Sequence, residues 1–311
     1  MTNNFYNHMK YFIKEILKNK FFTIFWAIYF SFNVELFSKK FKPKKKYRVL
    51  VLNHFRWIPD LQALDKSSEI ELLVLPTKIQ DNLGALFLSP IRDLIDPNNK
   101  YEKNQLDLFN KFNDQYKEYL IFFLKIFKKI SNLDCIITCT FYYRRDLAWG
   151  EASSFARIPF LAIHKECMKD ETVIEKMINR YIERKYKFSG NSIFVYNNNE
   201  KFCLVKGKVA KPEKIKVLGC MRMDKYFRDS SNIKKLDKHA ITLFSFRPTI
   251  GGIQIEDDIS GFSKSNKNGA IRYFNHVHSA VALFAMKNPE ILVYIKPKWD
   301  HIWIEKISDA I

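Results

Sequence analysis

The sequence predicts an α/β fold in two doubly wound lobes, and three observations carry that prediction. Short aliphatic runs recur with polar turns behind them, helical patterns separate the runs, and a charged stretch followed by a fresh strand opens a second lobe. A chain of 311 residues is long enough for about two domains of ordinary size, each with its own core.

The first strand is Tyr47-Arg48-Val49-Leu50-Val51-Leu52, short, aliphatic and followed by the polar turn Asn53-His54. Further strands are read at 70–75, closed by Pro76, then at 134–139, 159–164, 192–196 and 214–218, the last ending at Gly219. The longest helical pattern runs from Tyr101 to Ile130. Residues 229–238 turn polar and charged and read as a linker. A strand at 240–246 then opens the second lobe, with a loop carrying Gly251 and Gly252, a helix over 273–287 and a strand at 291–296. This organisation predicts a helical segment over 1–46, a first domain over 47–228 and a partial second domain over 239–311. The second holds little more than one βαβ unit, so it reads as a doubly wound half cut short.

Composition narrows the partners. A formal charge of +19, from 52 Lys and Arg against 33 Asp and Glu, draws the molecule to polyanions: anionic lipid, nucleic acid or phosphate-bearing substrates. A biased nucleotide composition produces the same scattered Lys. No recognisable nucleic-acid-binding motif carries the charge, so nucleic acid is not an expected partner. The five cysteines show no paired metal spacing, and several lie in apolar runs, as thiols do in a reducing cytoplasm. Cys135 and Cys139 share one face of a strand and are expected to pack together. His276 and His278 lack a nearby Cys, Asp or Glu to complete a metal site.

The amino-terminal stretch 21–32 is rich in aromatics and flanked by Lys18, Lys20, Lys39 and Lys40. Its apolar run is shorter than the roughly 20 residues that span a bilayer, and no small-residue cleavage site follows it. Two readings remain: an interfacial helix, aided by the basic run Lys39 to Lys46 meeting anionic head groups, and an ordinary helix packed on the first domain. The first predicts a cytoplasmic protein peripheral to the inner face of the plasma membrane.

No Gly-x-Gly-x-x-Gly fingerprint follows the first strand, which argues against a dinucleotide dehydrogenase. Instead, Gly219-Cys220-Met221-Arg222-Met223-Asp224 resembles the Gly-x-x-Arg-x-Asp strand-end signature of GT-B-type surface-carbohydrate glycosyltransferases and of the CDP-glycerol glycerophosphotransferase family. The segment 158–166 resembles a strand and turn, often ending in Glu, in the same group, and 56–61 more loosely resembles the basic loop after its first strand. The likeness spans roughly residues 47–298, with Met221 where many relatives carry Pro and Lys165 where a smaller residue is common.

The resemblance implies a GT-B-like fold, two Rossmann-like domains facing a cleft with the second incomplete. It also implies transfer of a sugar or polyol phosphate from a nucleotide-activated donor to a glycan or lipid-linked acceptor, with no metal and no cofactor. Such a transfer needs a base for the acceptor hydroxyl, and His54, His164 and Glu166, each following a strand, are the candidates. Arg222, oriented by Asp224, with Arg247 and Lys296 from the second lobe, is the candidate donor-phosphate set; an ion pair bracing the hinge is the structural alternative for the Arg222 pair. Asn53, Arg56 and Asp60 form the candidate acceptor-side loop. A non-catalytic fragment binding acceptor or membrane, and a sugar-nucleotide epimerase of similar architecture, are the alternative functions.

Overall fold

The computed structural model describes residues 20–38, 46–75, 83–84, 87, 103–142, 144–165, 169, 171–224, 227, 239–245, 267–297 and 302–311. The chain divides into two compact units, Met1–Asp229 and Ser230–Ile311.

In the first unit, helix α1 (Lys20–Asn33) leads through strand β1 (Glu35–Leu36) to β2 (Tyr47–Val51), α2 (Ile58–Leu64), β3 (Ile70–Val74), α3 (Lys103–Ser131) and β4 (Cys135–Thr138). There follow α4 (Arg144–Phe155), β5 (Phe160–Ile163), α5 (Glu171–Glu183), β6 (Ser192–Val195), α6 (Asn198–Lys206) and β7 (Ile215–Val217). These strands form one seven-stranded sheet in the order β1-β3-β2-β4-β5-β6-β7. All neighbours pair in parallel except β1, which runs antiparallel to β3.

Alternation along the strands supplies both faces with apolar side chains. Leu50, Leu73, Ile136, Phe160, Ile193 and Ile215 point into a large core with Phe30 of α1, Phe123 and Phe127 of α3, Trp149 of α4, Tyr181 of α5 and Leu204 of α6. Val49, Val51, Leu72, Val74, Ile137 and Ile163 point the other way, against Trp57, Leu61 of α2 and Met221. Cys135 and Cys139 both belong to this second face, as their spacing predicts.

Helix α1 packs on the first unit, as the second of the two sequence readings expects. Ala27 and Phe30 are buried, Phe30 standing edge-on to Phe123 at 5.2 Å, while Phe25 is 57% and Phe32 83% exposed. The helix is an integral part of the first unit and still presents an aromatic face. Among the described residues no helix is long and apolar enough to cross a membrane.

The second unit contains the parallel strands β8 (Ala240–Phe244) and β9 (Leu292–Lys296), with helix α7 (Lys267–Lys287) between them in sequence and α8 (Ile302–Ala310) after them. The strand expected at 240–246 ends at Phe244. A small core gathers Phe274, Ile307 and Ala310. His278 is buried, with Nδ1 2.7 Å from the Phe274 carbonyl and Nε2 2.9 Å from Ser245 Oγ. The carbonyl accepts only, so Nδ1 carries a proton and donates to it, and Nε2 shares a hydrogen bond with the Ser245 hydroxyl. Both nitrogens are thereby committed to holding α7 on β8.

Candidate active-site crevice

Connections from β2 and from β4 leave the sheet on opposite faces. The chain passes from β2 through α2 on one face to β3, then returns through α3 on the other face to β4, on the far side of β2. Such a reversal opens a crevice at the carboxyl ends of the two strands, the usual ligand position in doubly wound sheets.

Across this crevice a buried network is tied. Asn53, directly after β2, adopts the left-handed conformation (φ 52°), which Asn tolerates better than most residues. Its Nδ2 donates to both carboxylate oxygens of Asp146, at 3.0 and 2.7 Å. Thr138 Oγ1, at the end of β4, donates to the same carboxylate at 2.7 Å. Asp146 lies in the first turn of α4, where the helix dipole favours a negative charge. The bond from Asn53 to Asp146 therefore spans the switch point.

Beside Asn53, His54 is partly buried, and its Nδ1 has no hydrogen-bond partner. Burial holds this imidazole below its ordinary 6.5, against a small opposing pull from Glu35. Near neutral pH the ring is neutral, the form a general base requires. The loop carrying it is anchored by Trp57, whose indole N–H donates to the Leu52 carbonyl at 3.2 Å and whose ring is buried. Arg56 is exposed, and its carbonyl accepts from Lys165 Nζ at 2.7 Å. Arg56 and Lys165 both act electrostatically on Cys139, although burial dominates and pushes that thiol up to about 12.

A second cluster sits at the ends of β5 and β6. Glu200, fully buried in the first turn of α6, is ion-paired with Lys169, and its Oε1 lies 3.3 Å from His164 Nε2. His164 Nδ1 is 3.3 Å from Thr140 Oγ1. Burial drives the Glu200 carboxyl up, but His164 and Lys169 together outweigh it and leave the pKa below its ordinary 4.5.

A third cluster joins α2 to the Gly219–Asp224 element. Gly219 has φ 84°, a conformation costly for any side chain, although a Cβ there would meet nothing within 4 Å. The backbone then turns through the short helix Met221–Met223. Met221 buries itself beside Trp57 and Leu61, which seats this turn against α2. Arg222 Nε donates to Asp60 Oδ1 at 3.0 Å and Nη2 donates to Oδ2, so the pair is bidentate. Tyr196 OH donates to Asp60 Oδ1 at 3.3 Å. The Asp60 side chain is fully buried and that of Arg222 is 34% exposed.

The placement of the sequence-predicted residues is thus uneven. His54 and Arg56 lie at the carboxyl edge with access to solvent. Asn53 and Asp60, expected on an acceptor-side loop, are buried and committed to Asp146 and Arg222, because an Asn at φ 52° and an acid beneath a guanidinium both turn inward. His164, expected as a base, is fully buried among Thr140, Glu200 and the rings of Phe141 and Tyr142, so its imidazole does not reach a substrate. Arg222 is gripped by Asp60, not by the expected Asp224, which is exposed. Lys296 is exposed at the end of β9. Glu166 and Arg247 lie outside the described residues, as do Gly251, Gly252 and the linker 229–238.

Sequence reasoning passed over Asp146, Glu200 and Tyr196. For Glu200 a local signal existed: Asn197 caps α6 by accepting from the Glu200 N–H at 2.9 Å, and Asn-x-x-Glu is a helix-start pattern. Asp146 and Tyr196 carry no such mark. Among the described residues no group of His, Cys, Asp and Glu is arranged to hold a metal ion.

Fold and crevice define the class: an α/β protein with a doubly wound parallel sheet and a polar cluster along its carboxyl edge. No protein-family model matches the chain, and no curated protein sequence does. Among solved structures it is similar to the UDP-GlcNAc 2-epimerase of Methanocaldococcus jannaschii, at 13% identity and a TM-score of 0.40, with 86% of this chain and 68% of that one covered.

Proposed function

We propose that this chain is a GT-B-type transferase that moves a sugar or polyol phosphate from a nucleotide-activated donor to a glycan or lipid-linked acceptor. The observation that carries the reading is the convergence of a neutral, partly exposed His54 and the Gly219–Asp224 element on one carboxyl edge, through the loop and helix that run from Asn53 to Asp60.

In this mechanism His54 takes the proton of the acceptor hydroxyl while that oxygen attacks the donor's reacting centre. As the new bond forms, the bond to the leaving nucleotide phosphate breaks. Arg222 meets the departing phosphate through the part of its guanidinium that Asp60 does not occupy. Asp60 offsets the positive charge that the phosphate would meet but fixes the fork in one orientation, so it serves as a positioning residue. The aromatic face of α1 rests on the inner membrane surface where a lipid-linked acceptor is found.

Calorimetric titration with UDP-GlcNAc and with CDP-glycerol tests the reading, followed by product analysis with and without a lipid-linked glycan acceptor. Binding of one nucleotide, with its release dependent on acceptor, is the expected result. Conversion of UDP-GlcNAc without any acceptor would instead identify an epimerase. Absence of heat with either probe would overturn the assignment in favour of a non-catalytic role, which the engagement of Arg222 by Asp60 also fits.

A further inference from the structure

The opposite edge of the same sheet holds a basic cleft that the transfer mechanism does not use. Where the chain enters β6 and β7, residues 187–188 and 208–214 enclose an open cleft of about 660 Å³. Its floor is apolar, formed by Phe188, Val205 and Val209. Four lysines line it, Lys187, Lys208, Lys211 and Lys214, against the single acid Glu213.

Two of these cations are held in place without being neutralised. Lys187 Nζ donates to the Lys208 carbonyl at 2.6 Å, and Lys214 Nζ donates to the Gly190 carbonyl at 2.9 Å. A carbonyl fixes an ammonium group but supplies no countercharge. Lys208 itself adopts φ 55°, a conformation that disfavours any residue with a Cβ. That turn presents its carbonyl to Lys187. Clustered like charges repel one another, and an anion drawn from solution relieves that repulsion.

We propose that this cleft binds the phosphate groups of a phosphorylated ligand, at a site separate from the carboxyl-edge crevice. A compact di-anion or tri-anion matches the excess of cations, and lysine ammonium groups bind phosphate as point charges. The source is a soluble phosphate compound or the head group of an anionic lipid.

The test uses inorganic pyrophosphate as the probe for the first source and phosphatidic acid vesicles for the second, with the full chain throughout. The vesicle arm is run on a Phe25→Ser/Phe32→Ser background so that α1 does not contribute. Lys208→Glu/Lys211→Glu is expected to weaken binding of one probe by roughly 10-fold or more. Glu213→Gln is expected to strengthen it. Lys125→Glu/Lys129→Glu, an equal charge change on exposed α3, serves as the control and is expected to leave the affinity within a factor of two, the scale of screened long-range effects. Equal losses in the cleft variant and the control, or no binding of either probe by the unaltered chain, would overturn the proposal. Nucleotide titration of the cleft variant keeps this result separate from the fate of the transferase reading, since the crevice is untouched by these substitutions.

Discussion

The carboxylate of Asp60 grips the guanidinium of Arg222 across 162 residues of sequence, with Nε to Oδ1 at 3.0 Å and the second oxygen taken by Nη2. This pair ties the first crossover helix to the last turn of the first unit. Tyr196 adds a third element by donating to Asp60, and the buried carboxylate beside it raises the phenol well above its ordinary value, after the larger effect of burial.

Asp60→Ala is expected to destabilise the first unit by about 2 kcal/mol, since it leaves a partly buried guanidinium without its acceptor while solvent screens the remainder. Arg222→Ala is expected to cost a similar amount, and the double variant less than the sum. Urea unfolding of all three closes the cycle. Strict additivity would mean that the pair does not contribute as a unit.

His54→Gln is expected to lower kcat by roughly 100-fold or more with little change in KM, as loss of a general base does. On the transferase reading, the unaltered protein should lose activity on acidification, with the limb below pH 6.5 because burial favours the neutral ring. In the same range, protonating His54 also erodes stability: it is complete above 6.5 and declines as pH falls toward the depressed folded value. A rate profile with no acidic limb anywhere below pH 6.5 would remove His54 from the mechanism.

Glu200 has a folded pKa below its ordinary 4.5, so its stabilising contribution is present above that value and is lost as pH falls through the folded one. Melting temperature should therefore fall on acidification below pH 4.5 in the unaltered chain. Glu200→Gln should be less stable at neutral pH and should show a shallower acid decline. Parallel pH curves for the two proteins would contradict the pairing with His164 and Lys169.

Gly190→Ala is expected to destabilise by about 1–3 kcal/mol, the usual cost of overpacking. A Cβ there would stand 2.6 Å from the Phe160 carbonyl oxygen, a backbone atom held by the sheet, and would also run into the Phe188 ring. Thermal unfolding reads the effect directly.

Removing the whole amino-terminal segment is a poor test of membrane contact, because Ala27 and Phe30 belong to the core. Phe25→Ser/Phe32→Ser alters only exposed positions and is expected to reduce sedimentation with anionic vesicles at least several-fold while leaving the melting temperature within a few degrees. Undiminished sedimentation would place any attachment elsewhere.

The sequence by itself determined the strands and their faces. Val49-Leu50-Val51 and Ile136-Ile137 are buried without a break and point alternately to the two cores, as a strand covered on both faces does, and each expected strand of the first unit appears where the aliphatic runs lie. The position of Gly219 was legible for a similar reason, since a left-handed turn after a strand selects glycine wherever it occurs. Only the tertiary structure decided which polar groups meet. Asp60 and Arg222, Asn53 and Asp146, and His164 and Glu200 lie 162, 93 and 36 residues apart, and no local pattern couples them. Their pairing depends on strand order, which places the ends of β2, β4, β5, β6 and β7 side by side, and on burial, which makes an unpaired charge too costly to leave there. For the same reason sequence reasoning credited His164 with access to substrate: a histidine after a strand looks alike on paper whether it faces a crevice or, as here, lies sealed beneath aromatic rings.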